Sequence, residues 1–154
     1  MEAEAFEIFA EMSIAMLGFS GLMVAISKAS TTVVTRVKGL IFFASVSAIC
    51  SVIPLTGLSL ILCAASYIAL VSVVIVWGYS NFYRNPAAQA NNAIYFSLNG
   101  ALLSAIVLLS YSIAIAPELL HQAYMYGLFV VLLSSGSYFV RMVLFLVSNE
   151  DDKA

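Results

Sequence analysis

The chain has almost no charge. Asp, Glu, Lys and Arg together make up 9% of its 154 residues, where ordinary soluble domains carry about 25%. A soluble fold of this length could not hide a composition that is 63% hydrophobic. Its mean hydropathy is +1.05. Six basic residues, all close to apolar runs, are too few for a nucleic-acid footprint. Cysteine is scarce too: Cys50 and Cys63 have neither CxxC nor any metal-ligand spacing, and both sit in apolar runs as small packing residues do. The single histidine, His121, has Glu118 nearby but no second cluster to complete a metal site. There is no nucleophile–base pair, phosphate loop or pair of intramembrane carboxylates, and GFSG at 18–21 is not the GxSxG of a nucleophile elbow. The sequence thus predicts no enzyme, no metal and no cofactor. No Lys or Arg precedes residue 28, so the positive start of a cleavable signal is missing and the first apolar span is expected to stay. Lipidation motifs are missing as well.

What the chain has is long apolar runs. A spanning helix needs about 20 mainly apolar residues. The first run is 8–27. KASTTVVTRVK at 28–38 reads as a polar loop or the interfacial start of the next helix. The apolar run 39–81 is about twice a membrane thickness and must turn back once. Pro54, Thr56 and Gly57 form its breaker cluster. Spans are therefore expected at 39–57, with Pro54 in the last turns, and at 61–81. After an Asn- and Pro-rich loop come spans at 93–116 and 123–147, joined by PELLHQ. The expectation is an all-α bundle of five transmembrane helices, a single domain over 1–154. A four-span alternative would merge the second and third spans.

The five-span reading puts every basic residue on one side: Lys28, Arg36, Lys38, Arg84, Arg141 and Lys153. Glu2, Glu4, Glu7, Glu11, Glu118 and His121 fall on the other. Cytoplasmic loops hold the Lys and Arg excess, so the N-terminus is expected outside and the C-terminus inside. Merging two spans would separate Arg84 from Arg141. Trp77, Tyr79, Phe82, Tyr83, Tyr124 and Tyr126 fall near the proposed interfaces, as aromatic belts do.

Three constellations stand out. Gly18, Gly21 and Ala25 share one face of the first span with Glu11 and Ile14. Such a small-residue stripe lets another backbone approach closely in lipid, either inside one subunit or between subunits. Second, Arg141 lies about six positions inside the last span, hence about 9 Å deep. A charge there is costly and marks a functional candidate, unless the side chain snorkels to the interface. Counting depth places Asn99, Ser45 and Ser20 in the same layer, where their oxygens could accept from the guanidinium. Third, Glu7 and Glu11, with Glu2 and Glu4, form an outer acidic rim that an oligomer would multiply into a cation-attracting ring.

The words AEMSIAMLGFSGLMVAI (10–26), SVIPL (51–55), FSLNGALL (96–103) and YFVRMVLF (138–145) resemble a family of small multi-pass bacterial membrane proteins. An AGFSG-like first span, a Pro-bearing second span, an LNALG-like span and a QFVR-like last span recur there. Gly18, Ser20, Gly21, Pro54, Asn99 and Arg141 match recurring positions. Met16 departs from the family word, and Tyr138 stands where Gln is usual. The resemblance implies a bacterial cytoplasmic membrane location and carries over no activity, ligand or catalytic residue. With almost no soluble part, the expected function is that of a homo-oligomeric channel or transport-like protein, with the Arg141 and Asn99 layer gating. The alternative is a non-transporting accessory subunit that holds a membrane protein partner.

Overall fold

The computed structural model describes residues 2–26, 31–84 and 92–151, and within them the side chains of 4–22, 37–80, 96–141, 143 and 144. The described secondary structure is all helical. The elements are α1 (Glu2–Ile26), α2 (Thr31–Val52), α3 (Leu60–Arg84), α4 (Asn92–Ala114) and α5 (Leu120–Asp151), with short 3-10 turns at Ile53–Thr56 and Pro117–Leu119. Each of the five helices is long and apolar enough to cross a membrane. Helices satisfy every internal backbone group, as a chain in hydrocarbon must.

The run 39–81 breaks where the sequence placed its breakers, into two helices that are each long and apolar enough to span a membrane. Pro54 lies in the 3-10 turn, not in the last turns of α2. Gly57 follows at φ +80°, a left-handed conformation that costs glycine little. Its N–H donates to the Pro54 carbonyl at 3.3 Å, and α3 begins three residues later. Pro117 likewise opens a 3-10 turn, which Leu119 N–H closes onto the Ala116 carbonyl at 3.0 Å. The start of α2 at Thr31 settles the 28–38 segment in favour of an early helix start, and α1 already contains Glu4, Glu7 and Glu11.

The chain divides into two compact units, one of Met1–Ile49 with Val131–Ala154, the other of Cys50–Val130. In the first, Val37 and Leu40 of α2 are buried against Met16, Tyr138 and Phe139. Phe43 stacks on Tyr138 with ring centroids 5.4 Å apart. Phe19 meets Phe139 at 5.8 Å. A polar link crosses from α1 to α2: Ser13 Oγ lies 2.8 Å from Ser47 Oγ, both fully buried. Ser13 Oγ is also 2.7 Å from the Phe9 carbonyl, so its one proton serves two acceptors in turn.

In the second unit α3 packs beside α4, and two tyrosines carry the buried polarity. Tyr67 donates to the Gly127 carbonyl at 2.7 Å, and Tyr124 donates to the Cys50 carbonyl at 2.5 Å. The two rings meet edge to face at 6.0 Å, a geometry their quadrupoles favour. A Cβ on Gly127 would sit 2.9 Å from Tyr67 Cζ, so the glycine admits the ring. Tyr124 is thus a core residue with no exposed surface, not a belt residue. Cys50 and Cys63 are free thiols, both fully buried.

Candidate functional site

The first candidate surface is on α1. Glu4, Glu7, Glu11, Gly18 and Gly21 are all exposed, and their spacing of three and four residues, with Ile14 at 59% exposure between them, draws one continuous face. The opposite face carries the contacts: Phe6, Ala10, Ser13 and Ser20 are buried. A Cβ built on Gly18 or Gly21 meets nothing within 4 Å. Among the described residues, then, nothing packs closely on either glycine, and this small-residue face stands open to lipid or to another helix. The side chain of Ala25 lies outside the described residues.

The glycine that does admit a neighbour is Gly39 on α2. A Cβ there would lie 2.7 Å from Tyr138 Cε1 and 2.9 Å from Cδ1. This contact brings the α5 segment that carries Arg141 against the start of α2. Arg141 follows Tyr138 by three residues, one turn on, and is half-buried. Lys38, next to Gly39, is exposed.

The remaining members of the expected polar layer are dispersed in role. Ser20 is buried, and its Oγ donates to the Leu17 carbonyl one turn back at 2.6 Å, so its proton is used within its own helix. Ser45 is half-buried on α2. Asn99 is half-buried on α4 and belongs to the second unit, whereas Arg141, Ser20 and Ser45 belong to the first. Of the basic residues that set the predicted orientation, Lys28 and Lys153 lie outside the described residues, as do the side chains of Arg36 and Arg84.

Reasoning from sequence missed Gly39 and the Ser13–Ser47 pair. Counting along the helices could have found the pair: Ser13 lies nine residues from Glu4 and Ser47 nine from Thr56, the ends of the apolar stretches Glu4–Leu22 and Val37–Thr56. Gly39 had no comparable signal, because a glycine at the edge of an apolar run looks the same whether it meets a ring or open lipid.

Comparison of the chain with family models, curated proteins and solved structures found no match.

Proposed function

We propose that the protein is a multi-pass subunit of the bacterial cytoplasmic membrane that works by lateral helix association, N-terminus outside and C-terminus in the cytoplasm. The observation that carries this reading is the open face of α1, where Gly18 and Gly21 are exposed and a side chain at either would touch nothing of its own chain. In lipid there is no hydrophobic drive between helices, and association comes from close packing at small residues and from polar contacts. The charge asymmetry supports the orientation. The absence of a catalytic constellation from the sequence favours an accessory role over chemistry.

A homo-oligomeric channel is the second reading, favoured by Glu7 and Glu11 sharing that face. Copies meeting through α1 would gather these carboxylates near one axis, where their summed field would concentrate cations. One experiment separates the two. The wild-type protein and a Gly18→Leu, Gly21→Leu double variant are purified in mild detergent, their mass in solution is measured, and the wild type is reconstituted for ion flux. A stoichiometric partner lost from the variant supports the accessory reading. A homo-oligomer that conducts, and falls apart on substitution, supports the channel. Unchanged size, composition and helicity in the variant would show that the face merely meets lipid and would sink both.

A further inference from the structure

We infer that Lys38 and Arg141 together hold the phosphate group of an anionic phospholipid at the cytoplasmic edge of the first unit. The two cations come from different helices, and those helices meet at a tight contact beside both residues. Gly39, the neighbour of Lys38, takes the Tyr138 ring against its backbone, and Arg141 lies one turn from Tyr138 on the same face. The ring is fixed in place by its stack on Phe43 and by Val37 and Leu40 around it. Neighbouring residues on a chain are 3.8 Å apart, and a helical turn rises about 5.4 Å. The backbones that carry the two long side chains thus lie one residue and one turn from the same contact.

The chemistry suits a phosphate. Guanidinium offers a planar fork that matches phosphate oxygens, and ammonium adds a mobile point charge. The surroundings suit a lipid phosphate over a soluble one. Val140 is 52% exposed and Leu144 62% exposed on either side of Arg141, and Ile41 is 39% exposed one turn from Lys38. Acyl chains can lie on these residues while the headgroup meets the cations. In the proposed orientation this edge faces the cytoplasmic leaflet, whose surface is negative. The inference does not depend on what covers α1.

The test uses the full-length protein in lipid nanodiscs or mild detergent, with retained lipid measured by native mass spectrometry. The probes are phosphatidylglycerol and phosphatidylcholine of matched chains, and inorganic phosphate alone. Each basic residue near an anionic surface contributes about five-fold in affinity. Wild type should prefer phosphatidylglycerol over phosphatidylcholine, and Lys38→Gln and Arg141→Gln should each reduce the preference about five-fold. The double variant should show none. Lys38→Arg and Arg141→Lys keep the charge and should keep most of the preference; Lys38 is exposed, so Lys38→Gln keeps the test decisive if Arg141→Gln fails to fold. Millimolar inorganic phosphate should not displace the lipid. Absence of a preference in wild type, a preference that survives the double Gln variant, or displacement of the lipid by inorganic phosphate would each overturn the inference.

Discussion

Replacing Gly39 with alanine tests the packing of the first unit at its tightest point. The added methyl would sit 2.7 Å from Tyr138 Cε1, 2.9 Å from Cδ1 and 3.2 Å from Cζ, well inside van der Waals contact. The ring cannot swing away cheaply, because it is also stacked on Phe43. Overpacking of this kind costs about 1–3 kcal/mol. Against it runs the helix propensity of alanine, which favours the substitution by about 1 kcal/mol over glycine. The net expectation is a loss of up to about 2 kcal/mol. Gly18→Ala supplies the internal control: its Cβ meets nothing within 4 Å, so it keeps the propensity gain of up to about 1 kcal/mol without a clash. Reversible unfolding in mixed detergent micelles, followed by circular dichroism, measures both. Gly39→Ala should fall below wild type and Gly18→Ala at or above it, a gap of about 1–3 kcal/mol. Shortening the ring with Tyr138→Leu should relieve the clash, so the double variant should be more stable than the two single losses predict. Equal stability of Gly39→Ala and Gly18→Ala would refute the contact.

Two further outcomes can be checked directly. Cysteine introduced at position 5 or 119 should label from outside intact cells and cysteine at 87 or 152 should not; external labelling at 87 would end the proposed orientation. Ser13→Ala and Ser47→Ala should each weaken the protein by about 0.6 kcal/mol, the average for hydrogen bonds between helices in membranes, and the double variant should lose little more than either single one, because the pair shares one bond. Additive losses in the same unfolding assay would separate the two serines.

Much of the architecture was legible because the limits on it are one-dimensional. Run length and the Pro54–Gly57 cluster suffice to count helices, and both act through the backbone. The orientation of each helix about its own axis was not legible. In a soluble helix the apolar stripe marks the buried side, but here both the buried Val37 and Leu40 and the exposed Val73, Val76 and Val107 are aliphatic. Serines divide too: Ser13, Ser47, Ser112, Ser134 and Ser135 are fully buried, whereas Ser80, Ser97, Ser104 and Ser110 are exposed. Small residues misled because a glycine signals close approach without saying to what. Gly39 and Gly127 admit rings of their own chain, and Gly18 and Gly21 admit nothing. Counting along α5 could not show that the segment carrying Arg141 meets α2 at Gly39, because that contact is between helices.

The turn between α2 and α3 bears on how the chain is made. Only Gly57–Ser59 separate the 3-10 turn from α3, and the two apolar stretches, Val37–Thr56 and Leu60–Ser80, emerge from the ribosome almost back to back. A ribosome adds about 5–20 residues each second, so the second stretch follows the first within seconds. The left-handed Gly57, at φ +80°, therefore does its work inside a very short link: a residue with a Cβ would carry the strain of that conformation at the one point where the second apolar stretch follows the first.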